Sequence, residues 1–156
     1  MTTQRSSWWQ GTRGEWWVVA QLLLLAAVGI LPPAGPKVVS APAAAATVAL
    51  IGAVMLVAGA VALGSNLSIL PSPREGAQVV RHGVYRWVRH PIYSGVILLV
   101  VGWAVYRGDL FHVVLAVGIG LFFAAKASRE ERYLQDRFPD YTGYRRRSWR
   151  FVPWVY

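Results

Sequence analysis

Two polar segments carry the residue types that do chemistry. The first is GVYRWVRHPIYSG, residues 83–95, where Arg86, Arg89 and His90 stand among Val84, Tyr85, Trp87, Pro91 and Tyr93. An arginine in such a place can grip a carboxylate or phosphate through two parallel hydrogen bonds. A histidine beside it can accept a proton. The second segment begins AKASREERYLQDRF at residue 125 and continues as PDYTGYRRRSWRFVPWVY. In it Phe123, Ala127, Glu130, Leu134 and Phe138 fall on one stripe at spacings of three and four. An acid on an apolar stripe needs a hydrogen-bond donor or a cation. Glu131 lies next to that stripe, while Arg129, Arg132, Tyr133 and Asp136 lie on the other side.

Each segment has an ordinary reading beside the chemical one. Arginines at the lip of an apolar run act as snorkelling lipid anchors, and His90 can serve as a helix cap. Glu130 can form a plain ion pair with Arg86 or Arg89. The basic, aromatic tail YRRRSWRFVPW fits an anionic lipid surface. From the residues alone these readings stay open.

The elements that must position the two segments are apolar. Hydrophobic residues make up 55% of the 156-residue chain and charged residues only 15%, with 8 Trp and 7 Tyr. That composition belongs to a membrane protein with interfacial aromatics. There are no cysteines, which excludes disulfides, thiolate metal sites and a cysteine nucleophile; no metal is expected. The 16 Lys/Arg outnumber the 7 Asp/Glu. Anionic headgroups account for that excess, and nucleic acid is not expected as a partner. Oligomeric state is not readable.

Four apolar runs stand out, at about 16–31, 43–63, 92–106 and 110–125. The shorter ones reach only ~24 Å at 1.5 Å per residue, against a hydrocarbon core of ~30 Å. Trp16, Trp17, Trp103 and Tyr106 at interfaces, with local thinning or helix extension, make up the difference. The first run resembles a signal peptide, with Arg5 and Arg13 before it and SAPAAAA after it. Residues 32–39 separate it from that cleavage-like site, so it is read as a transmembrane helix. Placing the N-terminus, the 64–91 loop and the tail on one side gathers 14 of the 16 Lys/Arg there, leaving Lys37 and Arg107 opposite. The positive-inside rule then puts both termini in the cytoplasm. YRGD at 106–109 is a tight turn, so the third and fourth runs form a hairpin.

Residues 65–78, SNLSILPSPREGAQ, read as irregular chain. Pro91 restricts His90 to extended or turn geometry and suits a first helical turn, so His90-Pro91 marks the start of the third helix. A helix continues from the fourth run to about Phe138, before Pro139. Ala116, Gly120 and Ala124, and likewise Ala60 and Gly64, recur at four-residue spacing, which allows close helix approach. No ionisable residue stands in the middle of a run, so the chemistry is expected at the cytoplasmic face. The expected fold is an all-α integral membrane protein: a single domain, 1–156, of about four transmembrane helices with a hairpin, a cytoplasmic C-terminal helix and a tail. Its site segments are about 83–95 and 126–153.

The two segments together resemble the isoprenylcysteine carboxyl methyltransferase family, which is related to the phospholipid N-methyltransferases. One motif of that family is similar to G-P-Y-x-x-x-R-H-P-x-Y-x-G. Gly83, Tyr85, Arg89, His90, Pro91, Tyr93 and Gly95 match it, with Val84 where proline is usual. The other is similar to E-E-x-x-L-x-x-x-F-x-x-Y-x-x-Y, matched by Glu130, Glu131, Leu134, Phe138, Tyr141 and Tyr144. Arg147 or Arg150 and Pro153 fit the basic residue and proline that close the pattern. The likeness covers about 65–153.

The resemblance implies a membrane enzyme that uses S-adenosylmethionine, in a pocket built from the R-H-P segment, Pro91 included, and the helix after the hairpin. On that reading Arg89, Glu130 and Arg147 are the catalytic residues. Arg89 and His90 bind or orient the methionine carboxylate, and Glu130 and Glu131 take the ammonium or ribose hydroxyls. Tyr85, Tyr93, Tyr141 and Tyr144 enclose adenine and sulfonium, whose charge suits aromatic faces. Arg147 or Arg150 holds an acidic group of the substrate. A carboxylate acceptor needs no general base at neutral pH. An amine acceptor needs one, for which Glu130 or His90 is placed. A lipophilic or lipidated acceptor enters sideways from the membrane lipids while the cofactor enters from the cytoplasm.

Two other functions compete. Sterol-type reductases use NADPH and carry an R-H-P-N-Y-x-G-E-like motif, but Ile92 and Val96 stand here for its Asn and Glu. A non-enzymatic lipid-binding module predicts no cofactor binding at all.

Overall fold

The structure is a computed structural model and describes residues 15–66 and 79–153. The expectations for Arg5 and Arg13 and for the irregular chain over 67–78 lie outside the described residues. Among the described residues five α-helices follow one another: α1 (Glu15–Ile30), α2 (Pro42–Leu63), α3 (Pro91–Arg107), α4 (Leu110–Arg137) and α5 (Tyr141–Arg146). The four apolar runs become α1 to α4 with starts within one residue of those expected, and α4 carries the Glu pair on a single 28-residue helix.

Helices α2 (continued by a 3-10 turn to Asn66) and α4 are long and apolar enough to cross a membrane; α1 and α3 are shorter apolar helices of 16 and 17 residues. Their outer faces carry large aliphatic side chains, such as Leu23 at 66% exposure, Val61 at 76% and Leu121 at 68%. Water does not tolerate so continuous an apolar surface, whereas hydrocarbon does. The chain is therefore a membrane protein.

Helices α2 and α3 form the tightest pair, and glycines make it so. A Cβ on Gly95 would lie 2.6 Å from the Gly52 carbonyl oxygen and from the Leu56 amide nitrogen. On Gly102 it would lie 2.9 Å from the Ala45 carbonyl oxygen, and on Gly59 2.8 Å from the Ile92 side chain. Backbones this close gain dispersion contacts that larger side chains would prevent. The seam runs through pairs seven residues apart, 52/59 and 95/102, and not through the expected four-residue repeats. Gly64 and Gly120 face open space. The inner face of α4 is filled instead by Ala116, Ile119 and Phe123, which join Val28, Val100 and Ala104 in the core.

The hairpin forms as expected. Gly108, in the left-handed region at φ 63°, ends α3, and Asp109 caps α4 by accepting from the His112 amide at 3.2 Å. Residues 34–38 cover this end: the Val38 amide donates to the Gly108 carbonyl at 2.9 Å, and the Leu110 amide to the Pro36 carbonyl at 3.0 Å. Since α3 begins and α4 ends on the opposite side, the hairpin delivers His90-Pro91 and the Glu pair to one surface.

Candidate functional site

The site is built from three pieces: the segment before α3, the last turns of α4 and the tail after α5. Gly83, at φ 59°, opens a 3-10 turn over Gly83–Arg86. That turn forms with Val84 at the second position, whose carbonyl accepts from the Trp87 and Val88 amides at 3.1 and 3.0 Å. The chain then runs extended to His90, and the tail pairs with it in parallel. Trp149 donates to the Trp87 carbonyl at 2.9 Å, Arg89 to the Trp149 carbonyl at 2.8 Å and His90 to the Arg150 carbonyl at 3.1 Å. Pro91 is buried at the first turn of α3. His90 makes no side-chain cap, so its imidazole is left for the site.

Glu131 is the centre. Its side chain is 3% exposed, and it is paired with Arg89 Nε at 3.0 Å, His90 Nε2 at 3.2 Å, Arg150 Nε at 3.3 Å and Arg145 Nε at 3.4 Å. Three arginines facing one buried carboxylate make a cluster with surplus positive charge, which favours anions nearby. Arg89 turns Nη1 to the carbonyls of Arg145 and Ser148 as well. Its Nε and Nη1 therefore hold Glu131 and the tail together. Arg150 donates to Ser128 Oγ at 2.7 Å and belongs to the same cluster.

Glu130 stands differently. Its side chain is 26% exposed, and it accepts from the Tyr93 hydroxyl at 3.0 Å, with His90 Nδ1 at 3.7 Å. His90 thus lies between the two carboxylates, stacked on Tyr93 with ring centroids 5.3 Å apart and planes within 2°. The inward carboxylate is Glu131, not the Glu130 that the apolar stripe had singled out. The ion pair expected for Glu130 with Arg86 or Arg89 is made by its neighbour.

The remaining tyrosines surround this core. Tyr144 donates its hydroxyl to the Tyr85 carbonyl at 2.6 Å and packs edge-on against Tyr141, which is 2% exposed. Burial pushes the Tyr144 phenol up to about 12, against the pull of Arg89 and Arg81. Burial raises Tyr85 and Tyr141 further still, helped at Tyr85 by the Glu130 carboxylate. All three stay neutral at physiological pH and serve as walls and donors, not as phenolate bases.

Arg147 parts company with Arg150. It lines a neighbouring cavity of about 780 Å³ with Arg81, Arg86, Trp87, Tyr144 and Trp149. Arg81 lies over the Tyr144 ring at 5.8 Å and Arg86 over the Trp87 ring at 5.6 Å. The structure thus brings Arg89, His90, Tyr93, Glu130, Glu131 and Arg150 into one cluster, flanks it with Tyr85, Tyr141 and Tyr144, and places Arg147 beside it. Sequence reasoning missed Ser94, Ser128 and Ser148. Ser94 donates to the His90 and Phe151 carbonyls at 3.0 and 2.8 Å and ties the tail to α3. It also missed Lys126, four residues before Glu130, a helical spacing that was legible.

A family model described as phospholipid methyltransferase matches residues 40–141, a span that holds Arg89, His90, Tyr93, Glu130 and Glu131. The chain is 36% identical over 83 residues to protein-S-isoprenylcysteine O-methyltransferase B of Arabidopsis thaliana, covering 52% of this chain and 42% of that protein. It is 36% identical over 74 residues to methanethiol S-methyltransferase of Mycobacterium tuberculosis, covering 47% and 30%. It is 30% identical over 141 residues to the nickel-cobalt-cadmium resistance protein NccN of Alcaligenes xylosoxydans xylosoxydans, covering 90% and 63%. The chain therefore spans less than two thirds of each of these relatives. Among the described residues no group of three or more His, Cys, Asp or Glu is placed to hold a metal ion.

Proposed function

The chain belongs to the phospholipid methyltransferase family, and from that premise we propose that it transfers a methyl group from S-adenosylmethionine to a lipophilic acceptor, a carboxylate in first place, at the cytoplasmic face of the membrane. One observation carries the reading. Two segments 37 to 42 residues apart, both inside the span that the family model matches, meet as a His90–Tyr93–Glu130–Glu131 cluster held by Arg89. The four apolar helices, taken as four spans, and the charge asymmetry support a topology with both termini cytoplasmic.

The residues present fit this cofactor. Its ammonium and ribose hydroxyls need an accessible carboxylate, which Glu130 offers, since Glu131 is enclosed by arginines. Its sulfonium and adenine need aromatic faces, which Tyr93 and the neutral Tyr85, Tyr141 and Tyr144 supply. When bound, S-adenosylmethionine would supply an electrophilic methyl group, with its own thioether as the leaving group. The protein's part is alignment and exclusion of water. Glu131 and Arg89 fix the frame, His90 is held between the two carboxylates, and Arg147 in the arginine-lined cavity meets an acidic group of the substrate other than the one methylated.

A second reading, methylation of a lipid amine, is favoured by the description of the matching family. It requires a proton acceptor, and Glu130 or His90 stands in place for that. Calorimetric titration of the purified protein with S-adenosylmethionine tests the common core. Binding to the wild type and loss in Glu130→Ala are expected, and unchanged affinity in both Glu130→Ala and Arg89→Ala would sink the site assignment. Labelled cofactor incubated with native membrane lipids, followed by mass spectrometry, then names the acceptor.

A further inference from the structure

Lys126 has no part in the chemistry above. It is 1% exposed, and its ammonium donates to Gln21 Oε1 of α1 at 2.6 Å. Among the described residues no carboxylate lies within 4.0 Å of it. A buried ammonium has three donors and is costly to hold without a close anion, and the Glu130 carboxylate one turn on acts on it only from beyond that distance. A single neutral amide oxygen is a weak substitute.

Its place matters. The ammonium lies 5.2 Å from the centre of the Tyr93 ring and 6.0 Å from that of Phe123. That same Tyr93 stacks on His90 and donates to Glu130. Lys126 is therefore one aromatic ring away from the His90–Glu130 pair, on the side where α1 covers α4. Helix α1 is a light cover. Val28 is its buried residue, with Leu24 and Leu25 partly buried against the core, and beyond the Gln21 contact Trp103 Nε1 donates to the Val28 carbonyl at 3.0 Å and Trp17 packs against Phe122 at 5.3 Å.

We propose that Lys126 receives the negatively charged end of the methyl acceptor, a carboxylate on a lipophilic body, which enters between α1 and α4 and takes the place of the Gln21 amide oxygen. This rests on the methyl-transfer reading and names the acceptor class for it. The exchange replaces an ion–dipole contact by an ion–ion contact in a medium of low dielectric. A cationic amine at the same place meets repulsion from the ammonium. The acceptor anion needs no general base, in keeping with a site whose tyrosines stay protonated.

The test is a binding comparison with the full chain in lipid nanodiscs, using oleate, oleamide and oleylamine as probes. Wild type binds oleate about tenfold more tightly than oleamide, and oleylamine most weakly. Lys126→Met reduces the oleate preference to about twofold or less, and Lys126→Arg keeps it. Gln21→Leu, which removes the competing oxygen, binds oleate more tightly than wild type and decides the matter if Lys126→Met does not fold. An unchanged oleate preference in Lys126→Met, tighter binding of oleylamine than of oleate, or weaker oleate binding by Gln21→Leu overturns the proposal. Failure of wild type to bind S-adenosylmethionine overturns the methyl-transfer reading instead and leaves the oleate comparison standing.

Discussion

Arg89 and Glu131 are 42 residues apart in the chain and 3.0 Å apart in space, both almost fully buried. The pair joins the entrance of α3 to the last turns of α4, and Arg89 extends the junction to the Arg145 and Ser148 carbonyls. Removing one member of a buried ion pair leaves the other uncompensated, which costs more than the pair itself contributes.

The two adjacent acids therefore separate cleanly. Glu131→Gln leaves three arginines facing a neutral amide and is expected to lower stability by about 3–5 kcal/mol. Glu130→Gln, at a partly open position, is expected to leave the melting temperature within a few degrees of wild type and to weaken S-adenosylmethionine binding about tenfold or more. Melting curves in detergent and calorimetric titration of both variants read the two effects. Equal melting temperatures, or equal affinities, contradict this division of labour.

Gly95→Ala places a Cβ against the backbone of α2 and must push the two helices apart. Overpacking of this kind costs about 1–3 kcal/mol. Gly120→Ala, in open space on α4, serves as the control and is expected to be neutral or to stabilise by up to about 1 kcal/mol through helix propensity. Thermal unfolding of the two variants side by side checks the α2–α3 seam.

Alkaline pH probes the tyrosine wall. The Tyr144 phenol, ordinarily at 10.0, is raised to about 12 in the folded chain. A raised value means that the folded state holds its proton more tightly, so the contribution is fully present below pH 10 and is lost as pH rises towards 12. Wild type is expected to lose melting temperature over that window more steeply than Tyr144→Phe. Identical slopes from pH 9 to 11.5 would show that Tyr144 does not carry this linkage.

The sequence made some of this plain and hid the rest for physical reasons. The positions of α1 to α4 and the tight turn at Gly108-Asp109 follow from apolar runs and local turn chemistry. The meeting of Arg89 and His90 with the Glu pair follows from the hairpin and from the two motifs. Which of Glu130 and Glu131 turns inward does not follow. Neighbouring helical positions differ by about 100°, and with Glu130 on the stripe and Glu131 beside it the periodicity favours the wrong one. The choice is made with Arg145 of α5 and Arg150 of the tail, which both reach Glu131 from beyond α4. That tail pairs through its backbone with residues 87–90, and backbone pairing leaves no local mark on side-chain identity. The glycine seam was legible in principle, but at a spacing of seven on two helices rather than four on one.

The pairing of Trp149 and Arg150 with Trp87, Arg89 and His90 also sets an order of events. Every helix of the hairpin is synthesised before the residues that close the cluster around Glu131. A chain stopped short of residue 148 can insert its apolar helices yet lacks the partners that hold Arg89 and His90 in place. On the methyl-transfer site proposed above, activity would wait on completion of the tail, and a C-terminally clipped chain would keep its apolar helices but lose the closed cluster.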